Sequence, residues 1–567
     1  MPKKTKVKFE QNVNSRVAAQ GNAGCHSLVE WFGDFDEFPL NWGISPESEL
    51  YRNEDRCQSA FSRWNASGEL TTEFVTELRG HGIAAAFELL ALLWCGPAEG
   101  EQVWPEVDCS GEEFFETIIG VNGANDVGSD DRPIDEVLFV QLAEIELSLC
   151  WDVVLPSPIA EQRARRAVDR MGFWIKRVLD HDGMPAAHVL MNLTPLLASW
   201  VRCFRIIKIR KWKLDSEVCE VLEWLVQQVL RLIGPNGSLM LGTGSWGEVS
   251  KDFRKQILKL SNDPIDKHLA KFCFPSVGRD GLSHKKLPES SSCSPWGEVA
   301  LLQSYWKCGL PKLAVDFSQG QNRIELSSRV ALLAGIVTPE VSFNGKTMGH
   351  PSHCGLICWH QDEDLDYLEI EFRMTGGIVI QRQFVLVRQD QILVMLDGVT
   401  SENRGRIDYH CRFPLSKGIS AMPESETSEV YLKSSREIEA LVLPLGLGEW
   451  KVDREEGSFI IQEDCLELHQ SLDGEGVCAS LLFDLNPSRS QRPRTWRRLN
   501  VMEKLQQVNR DRAVAYRVQL DRQQWLIYRS IGENASRTFL GENFADDFFM
   551  GRFYRNGSVE ELIQIEQ

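Results

Sequence analysis

His350, His353, Cys354, Cys358 and His360 fall within eleven consecutive residues. Imidazoles and thiols at this density are the side chains that hold zinc. Their spacing matches no standard zinc finger. On an extended strand, side chains alternate between faces, so Cys354, Leu356, Cys358 and His360 would share one face and His353 would take the other. His350, Cys358 and His360 are the candidate zinc ligands. The competing reading is a packed strand whose small thiols fill a core.

Three further places carry groups able to move protons or meet a sugar. His188 and Asn192 are four residues apart, which on a helix puts them on one face. A histidine beside an amide can neutralise a carboxylate and accept a proton; equally, both can serve nearby backbone groups. Tyrosine is scarce, eight in the chain, and only Tyr51 and Tyr305 precede residue 315. Tyr305 is expected on a last helix from Trp296 to Trp306, either as a cleft acid or base or as a core aromatic. Among Trp200, Trp212, Trp224, Trp246 and Trp296, only Trp246, inside a Gly-rich stretch, is expected as an exposed platform for a sugar ring. The basic runs Arg202–Lys213 and Arg489–Arg498 are either anionic-sugar contacts or solvated faces.

The whole chain bounds these options. Its 567 residues exceed one ordinary core, so two large domains are expected. A net charge of −19 argues against nucleic-acid binding, which rests on a basic footprint. No Walker A loop and no nucleophile elbow occurs. Positive charge at Lys3, Lys4, Lys6 and Lys8 is followed by no apolar segment, and the apolar stretch Ala84–Cys95 is too short to span a bilayer. Fifteen scattered cysteines, an odd number, fit reduced thiols. A cytoplasmic protein without membrane insertion is the expectation; the oligomeric state is not legible.

The elements that must position these groups change character near residue 315. Before it, apolar residues recur at helical spacing over 136–155, 160–179, 188–204 and 216–233, and the stretch 247–295 is polar and loop-like. Gly-containing turns at 68, 123, 183, 237 and 281 recur at intervals of 44 to 60 residues, which fits stacked helical hairpins curling into an incomplete toroid. An irregular helical bundle is the alternative. After residue 315, short alternating runs follow one another: 366–374, 378–388, 391–399, 407–415, 437–445, 458–470, 477–485, 513–520 and 524–530. Gly376-Gly377 and Gln389-Asp390 break them as hairpin turns do. So many strands without intervening helices predict an antiparallel β-sandwich. The expected division is an extension over 1–50, an α/α toroid-like domain over 51–315 and a sandwich over 316–567.

The run Trp359–Glu369, then Arg382-Gln383-Phe384 and Asp390–Val399, resembles the sandwich of heparinase II/III-like proteins. Trp525–Ser530 with Arg537–Gly541 is similar too, and the helical half joins through Asp182-Gly183-Met184-Pro185 and Ser294–Glu298. The resemblance implies an α/α toroid ahead of a β-sandwich, and a polysaccharide lyase that cleaves a uronic-acid polymer by β-elimination. In such chemistry a carboxylate is neutralised by Asn, His or Arg, a Tyr or His removes the alpha proton, and a Tyr protonates the leaving oxygen. No cofactor is required for this. His188, Asn192, Tyr305 and His353 are the catalytic candidates so implied, with Trp246 and Arg382 as substrate contacts. A carbohydrate-binding or scaffold protein that kept the fold without the chemistry is the first alternative. A hydrolase using paired carboxylates is the second.

Overall fold

The computed structural model describes residues 136–154, 156–242, 246–274, 287–320, 322–351, 353–435, 437–452, 457–532 and 535–566. It also describes residues 37–45 and positions 28, 48, 86, 87, 90, 91, 93 and 94. The turns expected at 68, 123 and 281, and Tyr51, lie outside these. The chain divides into two compact units, one of residues 1–230 with 237–268 and one of residues 231–236 with 269–567.

In the first unit, α1 (Val137–Phe139) runs into a π-helix (Val140–Glu146) and then α2 (Leu147–Val154). α3 (Pro158–Val178), α4 (Ala187–Leu190), α5 (Leu193–Ile209) and α6 (Ser216–Leu232) follow. Ser157 caps α3 by accepting from Ala160 N–H at 3.0 Å, and Pro158 takes the first turn, where no N–H is needed. After α3, Asp180 Oδ1 accepts from the N–H groups of Asp182 and Met184, and Gly183 adopts φ +73°. Any Cβ at Gly183 would collide with the backbone of Trp224 and Leu225 on α6. The stretch from 247, expected to be loop, instead forms α7 (Lys251–Ile257) and α8 (Pro264–Cys273). Their short amphipathic runs hide among Lys and Asp, but Ser250 still caps α7 through Phe253 N–H.

One charged knot sits inside these helices. Glu146, fully buried on the π-helix, accepts from Arg202 Nε at 2.5 Å, Arg202 Nη2 at 2.9 Å and Ser199 Oγ at 2.5 Å. Gln141 donates to Ser199 and accepts from Trp200 Nε1. Arg202, the first residue of one basic run, is thereby core rather than sugar contact.

Strands begin earlier than residue 315. β1 (Ser292–Ser294), β2 (Val299–Gln303), β3 (Lys312–Asp316), β4 (Arg323–Ser327) and β5 (Ala331–Ile336) form an antiparallel meander. The region read as a last helix, 296–306, is thus a turn, β2 and a bend. The run Val299–Gln303 is buried throughout, so it lacks the alternation that marks a half-exposed strand.

The central sheet comprises β6 (Glu340–Phe343), β7 (Lys346–Thr347), β8 (His353–Gln361), β9 (Leu365–Arg373), β10 (Ile378–Val387), β11 (Ile392–Pro414), β12 (Ser420–Pro423), β13 (Val430–Lys433), β14 (Ile438–Pro444), β15 (Gly457–Gln462) and β16 (Cys465–Asp484). Its main path runs β12-β13-β14-β16-β11-β10-β9-β8. A third sheet holds β17 (Arg494–Leu499), β20 (Ala513–Leu520), β21 (Gln523–Ser530), β24 (Phe548–Phe553) and β25 (Val559–Ile565). A small fourth one holds β18 (Met502–Glu503), β19 (Gln506–Gln507), β22 (Arg537–Phe539) and β23 (Glu542–Phe544).

The central sheet is covered on both faces. Leu302, Val315 and Leu326 of the first sheet pack with Ile380, Phe384 and Leu393 on one side. Val385, Val387 and Val394 pack with Val518, Trp525 and Ile527 of the third sheet on the other. Alternation along β10 divides its side chains between the two cores: Ile378, Ile380 and Phe384 share one, and Val385 and Val387 the other. Both glycines of the Gly376-Gly377 turn have positive φ, as the tight reversal requires.

Two buried cations test this packing. Arg382 pairs with its register partner Asp397 through Nε at 2.8 Å and Nη2 at 2.7 Å. Tyr409 Oη donates to the same carboxylate at 2.5 Å, and Arg382 Nη1 donates to Asn322 and Val337. Burial alone would lower the pKa of Arg382; Asp397 reverses this and holds the guanidinium charged. Asp397→Ala should cost about 3–5 kcal/mol by leaving that charge unpaired, read as a lowered urea midpoint.

Lys312, also buried, donates to the carbonyls of Arg231 and Ile233 at 2.7 and 2.8 Å, capping the end of α6. Burial pushes its pKa from 10.5 down to about 8. Between those values the unfolded chain holds the proton more tightly than the folded one, so stability rises with pH. Relative to Lys312→Met, the wild type should gain on the order of 3 kcal/mol from pH 8 to pH 10.5. Urea unfolding of both proteins across this range measures the difference.

Candidate functional site

Tyr305 lies in the bend after β2, half-exposed. The bend is anchored from both sides. Ser304 N–H bonds to Pro311 O at 3.1 Å, and Gln303 Nε2 donates to Tyr305 O at 2.7 Å. The next residue, Trp306, is buried, donates Nε1 to Pro288 O at 2.7 Å and lies under Arg231, 5.1 Å from the ring centre. A phenol on a bend fixed in this way is held in place without being in the core.

Four charged groups act on that phenol: Arg388, Asp364, Arg552 and Asp390. Partial burial raises its pKa, and the two arginines pull it down. The net effect is upward, so at neutral pH the hydroxyl keeps its proton and is suited to donate it. Arg388 is held by Asp366 at 2.6 Å, and its own N–H bonds to Asp364 O. Arg552 is held by Asp390 at 2.9 Å and Glu560 at 3.4 Å, with Asp364 at 3.8 Å. Asp366 also accepts from Ser291 Oγ at 2.7 Å and Gln303 N–H at 3.1 Å. Burial pushes its carboxyl up to about 6, against the pull of Arg388. Neither arginine stood out in the sequence, since residues 388 and 552 meet only through the fold.

The remaining candidates separate. Arg382 is 1 % exposed and locked to Asp397, so it is a core cation and not a substrate contact. The shared helical face expected for His188 and Asn192 does not form. α4 ends at Leu190, and Asn192 occupies the turn that leads into α5. His188 and Asn192 are each partly buried. Trp246 is half-buried and bridged to Ile44, whereas Trp224 and Trp296 are about half exposed, at 51 % and 55 %. Trp246 is thus not the free platform its Gly-rich setting suggested, since Gly247 N–H also ties this strand to Gly43 O.

The His- and Cys-rich segment forms β8, with a bulge between Leu356 and Cys358. The bulge reverses the faces beyond it. Cys354 and Leu356 pack into the core shared with the first sheet, while Cys358 packs into the core shared with the third. His360 is exposed and bonds to Asp362 at 3.1 Å, and His350 is exposed ahead of the strand. His350, Cys358 and His360 are not gathered: among the described residues no three His, Cys, Asp or Glu side chains are grouped to hold a metal. Burial raises both thiols, Cys354 to about 12. These residues do not fit a zinc site. The backbone of His353 pairs with Arg373 on β9.

Two histidines that sequence reasoning passed over face each other across β11 and β16, His410 and His469. His410 has Glu467 at 3.5 Å and Glu340 at 3.6 Å, and Ser471 donates to Asp408 at 2.5 Å on the same strands. The alternation of 407–415 contained this signal: Ile407, Tyr409 and Cys411 are buried while His410 and Arg412 are not. Among the described residues, no helix is long and apolar enough to cross a membrane.

No family model matches the chain, and no curated protein matches it. Solved structures do. A methylated-lysine form of a heparinase III gene product aligns at TM-score 0.53 with 10 % identity, over 80 % of this chain and 73 % of that one. A mutant of the heparan sulfate lyase HepC from Pedobacter heparinus aligns at TM-score 0.52 with 11 % identity, over 88 % and 86 %. The unmodified enzyme aligns at TM-score 0.50 and 11 % identity, over 85 % and 80 %. The helical region followed by layered antiparallel sheets is therefore the heparinase-like polysaccharide lyase fold.

Proposed function

We propose that this protein is a polysaccharide lyase that cleaves a uronic-acid polymer by β-elimination. The observation that carries the proposal is the fold likeness to heparinase III and heparan sulfate lyase structures over most of the chain. In the reaction a base takes the proton alpha to the uronate carboxylate. The C–H electron pair becomes the new C=C bond as the C–O bond to the 4-linked sugar breaks, and an acid protonates the departing oxygen.

Tyr305 is assigned the acid role, because partial burial keeps its phenol protonated. Arg552 and Arg388 supply positive charge near it, against Asp364 and Asp390. A cation near a developing negative charge stabilises the transition state more than the ground state. His353, in the same unit, is the proposed base.

A non-catalytic carbohydrate-binding protein is the second reading. It is favoured by Arg382, the arginine inside the family-like run, being committed to the core.

An active lyase leaves an unsaturated uronate that absorbs in the ultraviolet. Purified protein on a panel of uronic-acid polymers should produce that absorbance. Tyr305→Phe should lower kcat at least about 100-fold, the range of general acid catalysis, with the melting temperature little changed. Binding of a polymer without any absorbance establishes the second reading instead. Arg552→Ala should lower kcat more than it raises KM, since this cation is assigned to the charge that develops in the transition state.

A further inference from the structure

Cys273 ends α8, and Cys308 lies in the turn that follows the Tyr305 bend. Both belong to the same compact unit. Cys308 N–H donates to the carbonyl of Phe272 at 2.8 Å. That carbonyl belongs to the peptide that leads into Cys273. Standard backbone lengths then hold the two Cα atoms at most about 7 Å apart. A disulfide spans Cα separations of ~4.4–6.8 Å. The backbone thus already stands at bridging distance.

The side chains converge as well. Cys273 and Cys308 line one cavity of about 20 Å³, together with Lys312, Gln303, Ser327 and Ser328. That is room for a water-sized group, so a thiol can change rotamer there without displacing a packed neighbour. Both thiols are free. Cys273 is 6 % exposed and Cys308 more so, and a small oxidant reaches Cys308 first.

Electrostatics divide the roles in the same way. Burial raises both thiols, Cys273 to about 12, and the charge of Lys312 pulls both down. The Gly309 N–H also favours the thiolate of Cys308, the form that attacks. Lys312 is itself fixed by the carbonyls of Arg231 and Ile233, so its charge stays beside the pair. Cys273 then acts as a held neighbour, and proximity offsets its low acidity.

We infer that Cys273 and Cys308 form a reversible redox pair that a hydroperoxide closes to a disulfide. With hydrogen peroxide, the Cys308 sulfur attacks one oxygen and the O–O bond breaks. The departing hydroxide takes the thiol proton and leaves as water, and Cys308 becomes a sulfenic acid. The Cys273 sulfur attacks that sulfur. The S–S bond forms as the S–O bond breaks, and the hydroxyl leaves with the Cys273 proton as a second water. The two sulfurs lose two electrons and the peroxide gains them. A dithiol reverses the bond by exchange. The crosslink ties the end of α8 to the turn after Lys307, whose N–H bonds to Tyr305 O at 2.7 Å. Only an effect on turnover would rest on the lyase reading; the bond itself stands on the geometry of the pair.

The test is peptide mapping of the full chain. The reduced protein is treated with hydrogen peroxide, alkylated, digested without reductant and analysed by mass spectrometry. A peptide pair joined through Cys273 and Cys308 should appear, and dithiothreitol should release it. Cys308→Ser, which keeps an acceptor for Gly309 N–H, should abolish it, whereas Cys293→Ser should leave it unchanged. In Cys273→Ala the sulfenic acid has no partner, so dimedone labelling of Cys308 should rise at least about tenfold over wild type. Both cysteines recovered alkylated after peroxide, or Cys308 joined to a different cysteine, overturns the inference. Equal dimedone labelling in wild type and Cys273→Ala overturns it too.

Discussion

The central sheet is covered on both faces, and every polar side chain inside it must find its partner within the protein. A buried polar group without one costs several kcal/mol, and a buried charge more. Arg382 meets this constraint on one face with Asp397 and Tyr409. Glu369 meets it on the other, accepting from Tyr367 Oη at 2.7 Å and from Arg529 Nη2 at 3.2 Å. Both knots are centred on β9 to β11, and the second reaches Arg529 on β21 of the third sheet. Desolvation raises the phenols of Tyr367 and Tyr409, and each stays a donor to its carboxylate. The polar groups thus fix strand register in a sheet that apolar contact alone would leave free to slip by two residues.

The same constraint decides where chemistry can occur. Side chains that satisfy one another in the core have no capacity left for a ligand. Reactive groups are pushed to bends, strand ends and cavity walls. Tyr305 sits on a bend, and Arg552 near the end of β24. Asp366 shows the transition between the two regimes. It joins β9 to the bend region through Ser291 and Gln303, yet its carboxyl rises to about 6 because burial outweighs these bonds. It belongs to the scaffold that holds Arg388, and Arg388 in turn acts on Tyr305.

Periodicity made much of the fold legible. The helices at 158–178, 193–209 and 216–232 and the strands at 365–373, 378–387, 513–520 and 523–530 follow the apolar pattern closely. The departures from it have separate physical causes. Val299–Gln303 is buried on both sides, so its uniform apolar run carries no period and reads as helix. The alternation of β8 holds up to Leu356, and one bulged residue inverts the faces after it. Arg382 could have been placed from its neighbours alone. A charge flanked at two-residue spacing by Ile380 and Phe384 must be buried and paired. The setting of Tyr305 could not, because Arg388 and Arg552 are 164 residues apart in sequence and only strand pairing brings them to one phenol.

A fold shared at 10 to 11 % identity is consistent with this picture. Packed cores accept wholesale exchange of apolar residues when volume and alternation are kept. The layered sheets demand only that pattern, plus a few buried pairs to fix register. Reactive groups answer to a different requirement, since their positions relative to a substrate are set to fractions of an ångström. Identity can therefore drain from the core without altering architecture, while a single residue lost from a bend removes an activity. On the proposed reading, the residue that decides the function of this chain is one the sheets do not need: the phenol of Tyr305 on its fixed bend.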